Sequence, residues 1–502
     1  MELAAFVNEH LNDDLSRLIL QRDKWPQLDM ALAADCIAAR RKLRGKVPEW
    51  YDDPRLLFPS PLSAEQCSSS ATARFKAQLA VRAGRLRRPD EREPLRIADL
   101  TGGLGVDSWQ FATSGARVLY NEMNAMLAEA AARNFSLLGL AAPEVSGAGS
   151  GSGRRPSSLP LQATGPSRSH CRGRHASPAP DSSGAAGGSI ECSCSEITPE
   201  SLPALLERFR PDIVYMDPAR RSSTGDKVFR LKDCSPDVLR LQDIILGGVP
   251  GSADRLAPLL LLKLSPMADI SQICRELHNV REVHCVEYSG ECKELLVLCE
   301  AGFLGETTIF ADVLRSAAGN PDDVAGAATG LHPDASFSFL SSEEAAAKPR
   351  PAGFASPAEL VGKALFEPGP ALRKAGAFKL LSSRFGFSAL GPDAHFYLAG
   401  NYPESDAPSS EKCRTESAGL GRWWRIEDAA AFGKAGIRSL AAAHPHCGDF
   451  IARGLPLRSE ELEAMYRAGA KRAKRTEKNS AHTKLFAAGS PAGRLLLYCT
   501  EV

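Results

Sequence analysis

Apolar residues recur at helical spacing along the first 90 residues, in LAAFVNEHLNDDLSRLILQ and again in MALAADCIAARRKL. Spacings of three and four residues place such side chains on one face of a helix. The proline-rich stretch VPEWYDDPRLLFPSPLS interrupts this pattern, because proline lacks the backbone donor that a helix interior needs. The pattern predicts an α-helical N-terminal region over residues 1–90.

Short apolar segments that alternate with helical ones begin near residue 95. They are RIADL, DSWQFATSG, ARVLY and NAMLAEAAARNFSLLG, followed further on by SIECS, PDIVYMDP and APLLLLKLSP. Such alternation is typical of a parallel sheet covered by helices. The pair REVHCVEY and KELLVLCE indicates a closing hairpin. We therefore predict a Rossmann-like α/β domain over residues 91–300.

The alternation is interrupted over residues 141–189. This stretch consists mainly of glycine, serine, proline, alanine and arginine, with no acid between Glu144 and Asp181. It cannot bury enough apolar surface to offset its chain entropy, which predicts a disordered insertion. A flexible basic arm that touches nucleic acid is one interpretation, but a tolerated surface-loop insertion is favoured over it.

Three further segments follow the predicted domain. Residues 301–360 are rich in alanine, glycine, proline and serine, which indicates a linker. Compact regions then run over 361–415 and, after a polar break, over 420–502. The predicted fold class is α/β: a Rossmann-like sheet, preceded by the α-helical region and followed by these two segments as small α+β modules.

Composition and charge restrict the class of protein. Hydrophobic residues make up 43% and charged ones 24%, which is ordinary for a soluble globular chain, and the formal net charge of +1 favours no particular partner. No apolar run is long enough for a membrane span, and the start MELAAFVNEH does not resemble a secretion signal. The 13 cysteines are scattered without a CxxC pair. We expect reduced thiols, no zinc ribbon, no membrane partner and a cytoplasmic location.

The first chemically informative motif runs from Asp99 to Asp107 and reads DLTGGLGVD. It follows an apolar strand and opens a helix, where glycines permit a tight turn and backbone amides face a ligand. Glu122 ends the next strand, about twenty residues after the loop, where Rossmann-type sites hold a ribose. The spacing DxxGGxG differs from the GxGxxG of dinucleotide sites. It resembles motif I of class I S-adenosylmethionine (SAM) methyltransferases.

This resemblance implies SAM as the cofactor. The positively charged sulfonium and amino acid groups of SAM suit a loop bordered by the acid Asp99, whereas the negative charge of a diphosphate does not. The candidate cofactor-binding residues are Asp99, Thr101, Gly103, Gly105, Asp107 and Glu122. For Asp107 a structural alternative stays open, because an acid in the first turn of a helix also interacts favourably with the helix dipole.

The second motif, PDIVYMDPARR, places Asp217 and Pro218 at the end of an apolar strand. In open parallel sheets, chemistry takes place outside the carboxyl ends of the strands. The motif resembles the (Asn/Asp)-Pro-Pro-aromatic motif IV of amino methyltransferases. There the acid or amide accepts a hydrogen bond from an exocyclic amine and orients its lone pair toward the methyl group. A turn-forming acid at a strand end is the structural alternative for Asp217.

The motif departs from that family pattern at two positions. Ala219 replaces the second proline, and Arg220 replaces the aromatic residue that stacks on the base. A flipped base would then stack elsewhere or on a guanidinium plane. Arg220 and Arg221 are alternatively placed to meet phosphate.

Other candidates are less specific. Lys263 follows the strand APLLLL and is expected to face the substrate, with a rim lysine as the alternative. The HPHC cluster over residues 444–447 does not predict a metal site, because ligands so close in sequence cannot converge without distant partners. Nothing beside Cys234 marks it as an activated nucleophile. The best predicted footprint for RNA, with a solvated helix face as its alternative, is the basic run Lys471, Arg472, Lys474, Arg475 and Lys478.

Taken together, LTGGLGVDSWQFA, YMDPARR, KVFRLKDCSPDV, LLKLSPMADI and VHCVEYSGECKELLVLCE resemble a bacterial family of SAM-dependent methyltransferases with a THUMP-like C-terminal domain. The resemblance covers most of residues 95–140 and 190–502. It implies a methyltransferase domain, a small ferredoxin-like module over 361–415 and a THUMP-like domain over 420–502. The strand SIECSCSE lacks the plain acid that this family often has near the adenine amine, which leaves Cys194, Ser195 or Glu196 as candidates.

THUMP domains belong to RNA-modifying enzymes, so the resemblance implies an RNA-binding transferase. The predicted function is SAM-dependent methylation of an amine nitrogen of an RNA base in tRNA or rRNA. Two alternatives stay open. One is a methyltransferase that acts on protein or a small molecule, with C-terminal modules used for scaffolding or dimerisation. The other is a SAM-binding, RNA-binding protein without catalysis.

Overall fold

The computed structural model describes residues 2–88, 93–141, 188–220, 230–247, 255–315, 333–401, 415–470 and 482–502. Most of the predicted insertion over 141–189 lies outside these ranges, as do Arg221 and the basic run over 471–478. The chain divides into two compact units, of which the first contains residues 1–224, 231–262 and 300–302. No helix within the described ranges is long and apolar enough to cross a membrane.

The N-terminal region is helical, as its apolar spacing predicts. Its helices are α1 (Leu3–Glu9), α2 (Leu15–Leu20), α3 (Met30–Leu43), α4 (Pro48–Tyr51), α5 (Pro61–Gln66) and α6 (Ser70–Arg87). Phe6, Ile37 and Leu57 are part of the core that the helices enclose. Pro48 and Pro61 stand in the first turns of α4 and α5, where a missing N–H group removes no helical hydrogen bond. The proline-rich stretch therefore begins two helices.

Buried polar contacts join these helices to the α/β part of the same unit. The fully buried Lys76 of α6 lies 3.4 Å from a carboxylate oxygen of Asp107 and donates a 3.0 Å hydrogen bond to Ser68 Oγ. The Asn134 side chain exchanges two hydrogen bonds, of 3.1 and 2.8 Å, with the backbone of Leu57. Separating a buried charge from its partner is costly. The N-terminal helices are therefore held in a fixed position on the first unit.

The sheet of the first unit is parallel and has the order β7-β4-β1-β2-β3. Its strands are β1 (Arg96–Asp99), β2 (Arg117–Asn121), β3 (Ser189–Ser193), β4 (Ile213–Met216) and β7 (Leu259–Leu264). From β1 the chain first builds β2 and β3 on one side and later β4 and β7 on the other. This reversal creates a topological switch point between β1 and β4, where open α/β sheets bind ligands. The predicted parallel α/β fold is confirmed.

Helices and one short ribbon complete the first unit. The helices are α7 (Val106–Thr113), α8 (Ala125–Leu137), α9 (Leu202–Phe209) and α10 (Val238–Leu246). All four residues of β4 are buried, as expected for a strand covered by helices on both faces. Two short strands, β5 (Ala219–Arg220) and β6 (Cys234–Ser235), pair antiparallel directly after β4.

The second unit begins with four strands in the order β11-β10-β8-β9. The elements are α11 (Ile270–Glu276), β8 (Val280–Tyr288), β9 (Glu291–Glu300), β10 (Thr308–Leu314), β11 (Ala335–Leu340) and α12 (Ser341–Ala346). The predicted hairpin is confirmed as the antiparallel pair β8–β9. The linker expected over 301–360 needs correction, because it contains β10, β11 and α12. ASFSFL alternates polar with apolar residues and TIFADVL is mostly apolar, and the overall composition obscures both strand patterns.

A seven-stranded sheet in the order β13-β14-β12-β15-β18-β17-β16 completes the second unit. Its strands are β12 (Lys363–Pro368), β13 (Ser388–Ala389), β14 (Tyr397–Asn401), β15 (Gly421–Ala431), β16 (Asp449–Arg453), β17 (Thr483–Ser490) and β18 (Gly493–Glu501). The helices are α13 (Pro370–Ala375), α14 (Leu380–Phe385), α15 (Lys434–Ala443) and α16 (Ser459–Ala470). Because β12 pairs with β15, strands of both predicted C-terminal modules share one sheet.

Candidate active site

A cavity of about 290 Å³ lies in the first unit at the carboxyl ends of β1, β2 and β4. Its wall contains the whole glycine-rich loop from Leu100 to Asp107, together with Glu122 and Asp217. No lysine or arginine is among the described residues of this wall, whereas four acids are: Asp107, Glu122, Glu196 and Asp217. Such a cavity favours a cationic ligand over a diphosphate.

The loop has no room for side chains at two of its glycines. A Cβ atom on Gly102 would lie 2.1 Å from the ring of Tyr120, and one on Gly105 would lie 2.4 Å from the ring of Phe135. Gly105 also has φ +90°, a conformation that L side chains rarely adopt. At Gly103, by contrast, nothing lies within 4 Å of the Cβ position. The loop thus packs closely against the protein on one side and leaves open space beside Gly103.

Glu122 fixes the loop from the end of β2. One carboxylate oxygen accepts a hydrogen bond from the Gly103 N–H at 2.9 Å, and the other accepts from the Asn124 N–H at 2.8 Å. A carboxylate oxygen has more than one lone pair, so each can accept a further bond. Glu122 is half-buried and lines the cavity. It can therefore hold a hydroxyl pair of a ligand while it holds the loop.

Asp99 has a different place from the one that the motif predicts. It is buried beneath the loop, where it accepts hydrogen bonds from Ser108 Oγ at 2.7 Å and from the Thr101 N–H at 3.1 Å. It is not among the described residues of the cavity wall. Burial raises the pKa of Asp99 to about 7, with the nearby Asp107 and Asp217 adding to the rise and the two hydrogen bonds opposing it. Asp99 supports the loop from below, and its contact with the cofactor stays a prediction.

We expect the stability of the protein to fall as the pH rises from about 4 to about 7, because the Asp99 carboxyl stays protonated in the folded state and ionises in the unfolded chain. Its folded pKa of about 7 lies above the value of about 3.9 for an unfolded chain. Between these pH values the folded state binds the extra proton, so the free energy of unfolding decreases with rising pH, by at most about 1.4 kcal/mol per unit. The side-chain amide of an Asp99→Asn variant does not titrate. Urea titrations at several pH values should therefore show the variant gaining stability relative to the natural chain as the pH rises through this window, and a constant difference would contradict the assignment.

One hydrogen bond joins the two predicted motifs. The Asp217 N–H donates to Thr101 Oγ1 at 2.6 Å. Asp217 follows β4 and Thr101 follows β1, and these strands are neighbours in the sheet. The side chains of both residues therefore lie at the same edge, and both residues line the cavity.

The structure also assigns wall residues that the motifs do not mark. Ser63, Gln66, Cys67 and Ser68 line the cavity from α5 and the turn after it, and Ser235 and Pro236 line it beside β6. These residues are far from the glycine-rich loop in the sequence, so local motifs could not predict that they line the cavity. The only signal near the first group is the serine-rich stretch that interrupts the helical pattern between α5 and α6.

The residues after β3 that are candidates for binding adenine differ in their position relative to the cavity. Ser195 lines the cavity together with Glu196 and Ile197, while Cys194 is exposed and is not part of the described wall. Asn121, which no sequence motif marks, holds this segment by accepting from Ser195 Oγ at 2.8 Å and donating to the Ser195 carbonyl at 2.9 Å.

Two of the remaining predicted site residues, Pro218 and Lys263, are described by the structure and are not part of the described cavity wall. Pro218 is buried, and Lys263 is a half-buried residue of β7. The backbone of Arg220 pairs with Cys234 in the β5–β6 ribbon. Arg221 and the basic run over 471–478 lie outside the described residues.

Comparison with known proteins supports the fold. The sequence profile of a ferredoxin-like domain family matches residues 365–405. A protein from Porphyromonas gingivalis W83, whose structure carries the name "putative methyltransferase", superposes with a TM-score of 0.69. It is 24% identical in sequence, and the match covers 100% of this chain and 97% of that one. The chain thus has a Rossmann-like class I methyltransferase fold.

Two further solved structures are similar at a lower level. A SAM-dependent methyltransferase from Agrobacterium tumefaciens is 16% identical over 54% of this chain and 60% of its own, with a TM-score of 0.25. A "putative RNA methyltransferase" from Pyrococcus horikoshii is 12% identical over 44% of this chain and 66% of its own, with a TM-score of 0.19. These scores are too low to support conclusions about this chain. Among curated proteins none matches it.

Proposed function

We propose that this protein is a SAM-dependent methyltransferase that methylates an amine nitrogen of an RNA base. The observation that carries the proposal is the 2.6 Å hydrogen bond from the Asp217 N–H to Thr101 Oγ1. It holds a motif that resembles the amine-binding motif IV next to a loop that resembles SAM motif I. A methyl donor and an acceptor amine must lie in contact for transfer to occur.

The residues of the cavity fit SAM. Glu122 offers two carboxylate oxygens to a ribose, and the open space at Gly103 leaves room for a ligand against the loop backbone. The acids of the wall suit the positive charges of SAM, and Leu104, Leu127 and Ile197 offer apolar surface for a base. Bound SAM supplies an electrophilic methyl group. The Asp217 carboxylate accepts a hydrogen bond from the acceptor amine and so orients its lone pair.

RNA is favoured as the substrate for two reasons. The motif Asp217-Pro218-Ala219 resembles motif IV, which positions exocyclic amines of nucleobases. The segments over 361–415 and 420–502 resemble modules of RNA-modifying enzymes. An acidic cavity repels phosphate, so a polynucleotide needs cationic residues elsewhere on the chain.

Replacing Glu122 with glutamine should weaken SAM binding by at least about 1–3 kcal/mol, because the charge is lost and one oxygen that accepts from a backbone N–H of the site becomes an NH2 donor, which weakens both the ligand bond and the loop contact. Glu129→Gln is the matched control, since Glu129 is exposed on the adjacent helix α8 and outside the cavity wall. Calorimetry with SAM and with NAD gives both affinities. Binding of NAD but not SAM to the natural protein would refute the cofactor assignment.

The substrate is tested by methyl transfer from labelled SAM to total RNA from cells in which this gene has been deleted. We expect label in RNA, located on a base nitrogen by mass spectrometry of nucleosides. Label in protein or metabolites with none in RNA would indicate a different acceptor. SAM binding without any transfer would indicate a binding protein without catalysis.

A further inference from the structure

The second unit contains a cleft of about 630 Å³ between β10, β12, β16 and β17, beside α13. Among the described residues of its wall, five side chains are cationic: Arg315, Arg373, Arg422, Arg453 and Lys484. Three of the described wall residues are carboxylates, Glu287, Glu367 and Asp449, so the described part of the wall has two positive charges in excess. This charge is opposite in sign to that of the cavity at the carboxyl ends of β1, β2 and β4, whose described wall has four acids and no lysine or arginine.

The floor of the cleft is a fixed ionic network. Glu367 accepts a hydrogen bond from Arg453 at 3.0 Å and another from Lys484 at 3.2 Å, and Lys484 also pairs with Asp449 at 3.2 Å. The Lys484 side chain is only 7% exposed. Arg453 packs its guanidinium over the Phe396 ring, 4.7 Å from the ring centre. Because these partners hold the two cations in place, they form a rigid base for a ligand.

Two donors in the cleft wall lack a partner. Arg453 Nη1 and Arg373 Nε are buried and have no hydrogen-bond partner among the described residues. A buried donor without an acceptor costs free energy, and such groups are rare. An anionic ligand in the cleft would supply acceptors next to both arginines.

Three arginines of the cleft wall lack a direct ion pair within the described ranges. Arg315, Arg373 and Arg422 form no ion pair with any carboxylate that the structure describes. Glu287 interacts electrostatically with Arg373 and Arg422 without a direct ion pair, and its carboxylate accepts a hydrogen bond from the Ala371 N–H at 2.9 Å. These guanidinium groups therefore remain available to an external anion.

We propose that this cleft binds the phosphodiester backbone of an RNA chain, with Arg373 and Arg422 as its principal contacts. Planar guanidinium groups bind phosphate oxygens with two parallel hydrogen bonds, and arginine is preferred to lysine for such recognition. The cleft is much larger than a single phosphate ion. The described residues of its wall include no aromatic side chain, so this part of the cleft suits contacts to the backbone of a nucleic acid rather than stacking of its bases. The choice of RNA rests on the proposed function.

The double substitution Arg373→Gln and Arg422→Gln should weaken the binding of a fluorescein-labelled oligouridine about tenfold in fluorescence anisotropy. It should also lower the slope of log affinity against log salt by about 1.4, because two phosphate contacts are lost and each releases about 0.7 counterions from a single strand. Arg422 is exposed, so the single variant Arg422→Gln preserves the test if the double variant does not fold. Arg438→Gln with Arg458→Gln is the matched control, since both residues are exposed in the same unit and outside the cleft wall.

The outcomes separate this inference from the proposed function. Equal RNA affinity and salt slope in the cleft and control variants would overturn the cleft assignment even if the natural protein methylates RNA. Weakened binding in the cleft variants alone would support it even if methyl transfer to RNA is not observed. Two results would overturn the cleft assignment outright. The first is that the natural protein does not bind oligouridine. The second is that inorganic phosphate stabilises the natural protein but not the Arg373→Gln, Arg422→Gln variant, while both bind RNA equally well. The latter would identify a small-anion site.

Discussion

An Asp217→Ala variant is expected to bind SAM nearly as well as the natural protein and to lose roughly 10²–10³ in turnover. This is the usual effect of removing one preorganised polar partner from a reacting centre. The loss should be seen in kcat, because the carboxylate is proposed to act on the orientation of the amine. Single-turnover transfer from labelled SAM to RNA, combined with calorimetry of SAM binding, measures both quantities.

The structure makes this test specific. The bond that ties Asp217 to the glycine-rich loop comes from its backbone N–H, which alanine retains. The substitution therefore removes the carboxylate and leaves the link between the two motifs intact. If the substitution instead lowered turnover by disordering the glycine-rich loop, SAM binding would also weaken, and calorimetry would detect this.

Asp217→Asn is the conservative control. Motif IV of amino methyltransferases accepts either residue, and an amide oxygen still accepts a hydrogen bond from an amine. We expect the asparagine variant to retain much of the activity that alanine loses. Full activity of Asp217→Ala would remove the proposed role, and equal inactivity of both variants would indicate that the negative charge is needed.

Much of the candidate site follows from local patterns. The strand, the glycine-rich turn, the helix and the acid at the end of β2 are separated by fixed distances in sequence, so spacing alone points to Glu122, Gly103 and Gly105. The apolar runs predict the parallel sheet, because strands buried on both faces are continuously apolar. Such patterns reflect the backbone conformation of a few consecutive residues.

Other features depend on contacts that spacing does not encode. Gly102 is required because the ring of Tyr120, on the next strand, occupies the space of its Cβ atom. Asp99 ends its strand as the motif requires, but only the packing of Ser108 above it shows that its carboxylate is buried. The wall residues Ser63 to Ser68 come from a helical region that no motif marks. Each contact joins residues whose proximity arises only from the tertiary fold.

For Asp107 the sequence leaves two roles open, and the contacts in the structure favour one of them. Its place in the sequence is compatible with binding the cofactor and with an interaction with the helix dipole. In the structure one of its oxygens accepts hydrogen bonds from Ser68 Oγ at 2.9 Å and from the Tyr215 hydroxyl at 2.8 Å, and the other faces Lys76. The residue borders the cavity, but its contacts join α6, α7 and β4. This supports a role in fixing the N-terminal helices beside the loop.

Replacing Gly105 with alanine should destabilise the protein by about 3 kcal/mol or more. Two independent penalties act at this position. The backbone has φ +90°, and the new methyl group would lie 2.4 Å from Cζ of the buried Phe135 ring. Left-handed strain and overpacking each cost about 1–3 kcal/mol. Urea unfolding of the purified variant gives the change in free energy.

Gly115→Ala separates the two penalties. Gly115 has nearly the same backbone angle, φ +89°, but nothing lies within 4 Å of its Cβ position. This variant should therefore show only the backbone strain, about 1–2 kcal/mol. The difference between the two variants measures the clash with Phe135, and equal destabilisation would show that the loop does not pack against that ring. Since the clash can be relieved only by moving the loop or the ring, Gly105→Ala should also abolish SAM binding in calorimetry at temperatures where the variant is still folded, whereas Gly115→Ala, outside the cavity wall, should leave it unchanged.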